Sequence, residues 1–399
     1  MKIIAIICEY NPFHKGHALL FRRIRERFGE DSAIICILSD NFVQRGEPAV
    51  LSKWARAQAT VCEGADLVLE LPFPYSASSA ERFARAGVAI ANSLSCVDHL
   101  AFGSESGNTE HLLDIAKNME SKPFSSAYAE VDADKACGSA EKCAIAYEKA
   151  FGKEPALFTA NNILGIEYIR ALIRQKSTIR PSAFLREGGA HDEVRHEEIG
   201  SAMAAREMLE SGKTDLLFSL LPAQSASVLQ DELTQGRVIS SPAAYQNLLL
   251  LSYRLLSAEQ YRGADGMQGG LADRIASAAL TARTGEEFFD LIRTKRYTDA
   301  FLRRTLLYGL FGVTRERLNA PPAYTQVLAF TEKGQKILAS IRKNASIPIL
   351  TKPADYKSLD DTAREAAELS FRANSIYSAL LDKPSSPSDL LRHAPFRKV

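Results

Sequence analysis

Two histidines bracketing a lysine and a glycine, His14-Lys15-Gly16-His17, carry the most chemical content in this sequence. Imidazoles so spaced can donate to phosphate oxygens and stabilise the charge that develops when an α-phosphorus is attacked, as nucleotidyl transfer requires. Lys15 adds a point charge, and Gly16 leaves room for a nucleotide to approach the backbone. The pattern gains meaning from its setting. An apolar run, Ile3 to Cys8, precedes it and an amphipathic stretch, Ala18 to Arg27, follows, so a strand must feed directly into a helix. At that junction a helix N-terminus offers free N–H groups and positive potential to a phosphate.

Other candidates stand where further strands would end. Gly103 closes the run His99 to Phe102, where a glycine admits an adenosine against the backbone or simply makes a turn. Asn161 and Asn162 precede an apolar-periodic segment, Ile163 to Ile173; helix capping and ligand contact both stay open for the pair. Arg186 follows the run Ser182 to Leu185 and suits either phosphate pairing or solvent. The loop Gln44-Arg45-Gly46-Glu47-Pro48 reads as a lid or RNA contact, with a plain Pro/Gly turn as the bland alternative. Lys53 and Arg56, on the next helix, read as its solvent face.

These residues need a frame. Apolar runs at Ile3 to Cys8, Ala33 to Leu38, Leu67 to Leu71, His99 to Phe102 and Ser182 to Leu185 alternate with helical stretches at Ala18 to Arg27, Lys53 to Glu63, Ser79 to Leu94 and Ile163 to Ile173. That alternation predicts an α/β, Rossmann-like layer with a parallel sheet, whose ligands bind at the carboxyl ends of the strands. A helical insertion is expected over about residues 109–150. Beyond residue 200 the strand signal fades, and Ser201 to Leu209, Ala244 to Leu256 and Asp273 to Thr281 read as helices. The expected division is a nucleotide-binding domain over residues 1–200 and a mostly α-helical C-terminal domain over 201–399. In the latter, Arg293, Lys295, Arg296, Tyr297, Phe301, Arg303 and Arg304 combine cations with aromatics, fit for RNA phosphates and bases or for a charged helix face. The tail residues Arg392, His393, Arg397 and Lys398 either extend that cluster or fray.

Composition sets the outer bounds. In 399 residues, 46% are hydrophobic and 24% charged, which excludes wholesale disorder. Lys plus Arg number 49 against 48 Asp plus Glu, so a globally basic nucleic-acid coat is excluded while a local basic groove is not. Six scattered cysteines lack CxxC spacing and read as reduced thiols, not as a zinc knuckle or disulfide framework. The apolar start stops at Glu9 and lacks a cleavage site, so the expectation is a cytoplasmic protein without a membrane span. No carboxylate cluster marks a dedicated metal site.

Several longer motifs recur in order along the chain. Glu9-Tyr10-Asn11-Pro12-Phe13-His14-Lys15-Gly16-His17, Phe42 to Ala49 with Ser52 to Arg56, Phe102 to Gly107, Asn161 to Gly165, Thr294 to Tyr297 and His393 to Pro395 together resemble the bacterial tRNA(Met) cytidine acetate ligase family, a group of HIGH-type nucleotidyltransferases. The resemblance implies a Rossmann-like HIGH-type nucleotidyltransferase fold. It further implies activation of acetate by ATP, accompanied by Mg²⁺, as acetyl-adenylate, then acetyl transfer to N4 of the wobble cytidine of elongator tRNA(Met). By the same resemblance ATP contacts fall on Ile7-Cys8-Glu9-Tyr10-Asn11-Pro12-Phe13-His14-Lys15-Gly16-His17-Ala18-Leu19-Leu20, Gly103, Asn161, Asn162 and Arg186. His14, His17 and Lys15 are the expected catalytic group, Ser201 and Arg206 the second phosphate motif, and Arg45, Arg293, Lys295, Arg296, Arg303 and Arg304 the tRNA contacts; DNA is not an expected partner. Two departures stand out. Ser39-Asp40 occupies a place where Ser-Gly is expected, and the second motif, Ile199 to Arg206, lacks hydroxyls at positions 203 and 204. A small-molecule adenylyltransferase and a nucleotide-dependent RNA-binding protein without catalysis are the alternative functions.

Overall fold

The run Ile3–Cys8 forms β1, and its near-continuous apolarity matches a strand buried on both faces. β2 (Ala33–Ser39) and β3 (Leu67–Leu71) are buried throughout, while β4 (His99–Ser104) and β5 (Arg180–Leu185) are buried in part. In this computed structural model residues 1–134, 139–152, 158–186 and 202–398 are described. Cys137 and the segment 187–201, with Ile199 to Ser201 of the second phosphate motif, lie outside them.

The helices follow the expected alternation. α1 (Lys15–Phe28), α2 (Lys53–Cys62) and α3 (Ala80–Ser93) follow β1, β2 and β3 in turn. The expected insertion is helical where described, as α4 (Thr109–Met119), α5 (Lys122–Asp134) and α6 (Ser139–Phe151), and α7 (Ala160–Arg174) leads into β5. Leu112, Ile115, Phe124, Val131 and Tyr147 pack with Ile166 and Ile169 of α7, so the insertion shares the core on one face of the sheet.

Strand order is β5-β4-β1-β2-β3-β6-β7, with the first five strands parallel. Connections run outward from β1 in one direction and from β4 in the other, so the order reverses between these two strands. That is where an open α/β sheet leaves a crevice at its carboxyl edge.

The half beyond residue 200 is mostly helical but supplies three strands that the sequence pattern did not reveal. β6 (Thr325–Thr331) pairs antiparallel with β3, placing Leu69 opposite Val327 and Leu67 opposite Phe330. β7 (Ile349–Leu350) and β8 (Phe396–Lys398) pair parallel with β6. The sheet is therefore not purely parallel, and it draws on both sides of residue 200. The tail is pinned: His393 stacks on Trp54 with centroids 4.6 Å apart, and Lys398 Nζ donates to the Cys62 carbonyl at 3.1 Å.

Lys53 and Arg56 are not a solvent face. Both are buried, because the loop after β2 and the C-terminal helix Asp361–Leu380 close over α2. Lys53 pairs with Asp40 at 3.1 Å and with Glu70. Burial alone would lower the Lys53 ammonium, yet Asp40 and Glu70 outweigh it and hold the group charged. Asp40, at the place where glycine is expected, is a satisfied carboxylate. It accepts from the Asn41 and Phe73 amides, the Ser370 hydroxyl and Asn374 Nδ2, so the extra carboxylate fastens the sheet edge to the last long helix.

Candidate active site

A cavity of about 350 Å³ opens at the β1/β4 reversal. Ile7 and Cys8 of β1 and Phe102 and Gly103 of β4 form its floor; α7 contributes Asn161, Leu164 and Tyr168. Tyr10, at φ 46°, turns the chain off β1 toward α1. Arg56 sets the height of this edge by donating to the carbonyls of Glu9, Ser39, Asp40 and Leu51, joining the ends of β1 and β2.

His14 is the N-cap of α1 and His17 stands in its first turn. His14 Nδ1 accepts from the Gly16 amide at 3.1 Å, and His17 Nδ1 accepts from the His14 amide at 3.2 Å. This reciprocal capping box assigns the tautomer: with both Nδ1 atoms accepting, each Nε2 carries the proton. The rings lie 3.7 Å apart between centroids. Burial, aided by the Arg186 charge, lowers His14 to about 4, and burial with His14 and Arg186 lowers His17 well below the usual value. Both imidazoles are neutral N–H donors at neutral pH, stacked at one wall of the cavity.

The remaining expected residues divide by position. Arg186 and Arg206 line the cavity, and Arg206 Nη1 donates to the carbonyls of Asn11 and Ala202. Met203, one of the positions without the expected hydroxyl, lines it as an apolar side chain. A Cβ at Gly103 would stand 3.1 Å from Arg186 Cγ, so this glycine makes room for the arginine. Lys15 is exposed and, like Pro12, Phe13, Gly16, Ala18 and Leu19, is not among the cavity residues; its amide is used by the Leu220 carbonyl. Asn11 lines the cavity, but its Oδ1 accepts from the Val50 amide at 2.8 Å.

Asn161 does not cap α7. The N-cap is Thr159, and the unpaired amides are served by Glu105, which accepts from the amides of Asn161 and Asn162 and from Asn161 Nδ2 at 2.7 Å. Asn162 Oδ1 returns the contact by accepting from the amides of Glu105 and Ser106. The pair thus locks the loop after β4 to α7, with Asn161 facing the cavity and Asn162 buried. Burial alone would raise Glu105, but the bonds from Asn161 and Thr159 keep it below its usual value. Glu105 lies inside the Phe102 to Gly107 motif, but it precedes α4 in the sequence and serves α7, so no local signal announces this role.

Two more carboxylates reach the cavity. Glu9 Oε1 accepts from the Gln44 amide at 2.6 Å, and burial raises its pKa. Glu47 pairs with Arg303 at 3.0 Å. The Gln44 to Pro48 loop is gripped from the helical half, since Arg304 donates to the Gln44 carbonyl and Arg303 to that of Arg45. Arg45 itself is exposed at the rim. Of the basic cluster, Arg293 is bound to Asp290 and Asp299. Lys295 and Arg296 are exposed, and Arg296 lies over the Tyr297 ring, which stacks on Phe301 at 4.9 Å. Among the described residues no group of three or more His, Cys, Asp and Glu is arranged to hold a metal, and no helix is long and apolar enough to cross a membrane.

The profile of the HIGH Nucleotidyl Transferase family matches residues 1–390. The tRNA(Met) cytidine acetate ligase of Acetivibrio thermocellus is 35% identical over 405 residues, covering 96% of each chain. The chain belongs to the tRNA(Met) cytidine acetate ligase family of HIGH nucleotidyltransferases. A family member from Listeria monocytogenes is 36% identical over 358 residues, covering 88% of this chain and 89% of its own. The crystal structure of Thermotoga maritima TmcAL bound with alpha-thio ATP superposes with a TM-score of 0.91 at 28% identity, over 100% of both chains. Within this family frame, the HxGH turn, the β1/β4 crevice and the Arg206 helix converge on one nucleotide-sized cavity.

Proposed function

We propose that this protein is an ATP-dependent tRNA(Met) cytidine acetate ligase, the activity by which its full-length relatives are named. The observation that carries the reading is the neutral His14/His17 pair, whose rings line a cavity at the strand-order reversal and have Nε2–H left to donate. In the first half-reaction an acetate oxygen attacks the α-phosphorus of ATP and pyrophosphate leaves. His14 and His17 donate to the phosphate oxygens as charge builds, and Arg186 and Arg206 neutralise the polyphosphate. In the second, N4 of the wobble cytidine of elongator tRNA(Met) attacks the acetyl carbon and AMP leaves. No side chain becomes acylated; the protein supplies position and electrostatics. Mg²⁺ arrives as the counter-ion of ATP. Lys15 contributes only its charge near the helix start.

Residues 1–200 supply most of the ATP site in this reading, joined by Arg206, and residues 201–399 most of the tRNA contacts. Arg45 at the rim and Lys295 and Arg296 beside the Tyr297–Phe301 stack meet the RNA, while Arg303 and Arg304 hold the rim loop in place. The enzyme works in the cytoplasm with its tRNA. The test is acetate-dependent exchange of labelled pyrophosphate into ATP, followed by nucleoside mass analysis of elongator tRNA(Met). Exchange together with a gain of one acetyl group on cytidine is expected; exchange supported by another acceptor, or none at all in protein that binds ATP, would overturn the reading.

A further inference from the structure

Next to the nucleotide cavity lies a second one of about 310 Å³. The two share Arg45, Glu47, Met203 and Arg206, which form their common wall. The far wall comes from the helical half, where Ile239, Gln246 and Phe289 face Glu207 and Glu210 of the helix Ala202–Glu210. Tyr245 also borders it, with its hydroxyl already used by the Gly46 carbonyl at 2.8 Å, so it offers ring surface rather than a free donor.

The lining mixes charges, with Arg45, Arg206 and Arg303 beside Glu47, Glu207 and Glu210, and Arg303 is already paired with Glu47. The exposed carboxylates of Glu207 and Glu210 are acceptors for an exocyclic amine, as carboxylates are for cytosine N4. Ile239, Phe289 and Tyr245 provide the apolar surface that a base ring buries. An enzyme that reacts with an exocyclic amine must take the base out of its stack and seat it beside the reactive group. The common wall puts a seated base next to the place where acetyl-adenylate forms.

We propose that this second cavity receives the acceptor nucleobase, an aminopyrimidine turned out of the RNA. The inference rests on the acetate-ligase reading and adds where the acceptor sits. The exocyclic nitrogen attacks the acetyl carbon across the common wall; the new C–N bond replaces the bond to the AMP oxygen, AMP leaves with the electron pair, and the amine releases one proton to solvent. Arg45, at the exposed rim, takes a flanking phosphate.

The test fills the cavity from residues that do not line the nucleotide cavity. Ser241→Trp, at the exposed rim, and Gln246→Trp, on the far wall, are measured in the full chain after their melting curves match the parent's. Pyrophosphate exchange with acetate is expected to stay within about twofold, while acetyl transfer to elongator tRNA(Met) falls roughly tenfold or more in kcat/KM. Transfer unchanged in both folded variants would show that no base enters the cavity. Loss of exchange together with transfer would make it part of the nucleotide site. Either result overturns the assignment, whereas absence of exchange in the parent protein itself would sink the acetate-ligase reading beneath it.

Discussion

At His14 the side chain does two jobs that one substitution separates. Its Nδ1 caps α1 while its ring lines the cavity as an N–H donor, and asparagine can reproduce only the first. His14→Asn should therefore keep the fold and reduce acetate-dependent pyrophosphate exchange by about 10²–10³-fold, the usual loss of one preorganised donor. tRNA affinity, read by filter binding, should barely change; equal loss of both would sink the role. A pH signature goes with it. Folded His14 titrates at about 4, so between that value and the ordinary histidine range the unfolded chain binds more protons than the native one. Stability then rises with pH across this window and is lost on acidification, on the order of 3 kcal/mol for this group. The drop in melting temperature from pH 7 to 4.5 should be smaller in His14→Asn. A different residue effect belongs to Lys53, which answers two buried carboxylates. Burial pushes Glu70 up to about 7 even beside that lysine, so Lys53→Met should cost about 3–5 kcal/mol in urea unfolding, with part recovered by Lys53→Met/Glu70→Gln. The histidines were legible because strand, motif and helix start all fall within the first seventeen residues. Lys53 and Arg56 were not: at the start of a helix a charged residue reads as solvated unless the segment covering it is known, and here that cover comes from residues 361–380.

The elements that hold the site were read mostly from local periodicity, and the misses have physical causes. β1 is an unbroken apolar run, β2 and β3 are interrupted only by Ser39 and Glu70, and a helix follows each strand. The Thr325–Thr331 strand is buried over its first five residues, but it sits among helices, pairs antiparallel, and leads straight into the helix Glu332–Asn344, so no strand–helix alternation announces it. The same limit applies to the basic cluster, where composition could not rank cations that the fold treats differently. Arg293 is already held by Asp290 and Asp299, whereas Arg296 lies exposed over the Tyr297 ring. Arg296→Ala should weaken tRNA binding and lower the slope of log affinity against log salt by about 1. Arg293→Ala should leave that slope nearly unchanged. Equal slopes for the two variants would show that ion pairing does not decide which cations meet RNA.

For the whole molecule, the sheet that borders the β1/β4 cavity is completed by a strand from the helical half. β6 covers the open edge of β3, and the helix Asp361–Leu380 supplies Ser370, Asn374 and Tyr377 to the loop that follows β2. An uncovered β3 would present unpaired N–H and C=O groups next to Leu67 and Leu69, which are fully buried in the intact chain, and such an edge recruits other chains. Asp40 would at the same time lose two of its donors while remaining at the end of a buried strand. Residues 1–319 alone should consequently aggregate, even though they contain the HxGH turn and every residue of both cavities. Co-expression with residues 320–399 should restore a soluble complex that carries out pyrophosphate exchange, because the missing strand and helix pair through surfaces already formed. Size-exclusion chromatography and thermal melting decide it. A monomeric fragment 1–319 with a cooperative transition would mean that these residues close the β3 edge without the strand Thr325–Thr331.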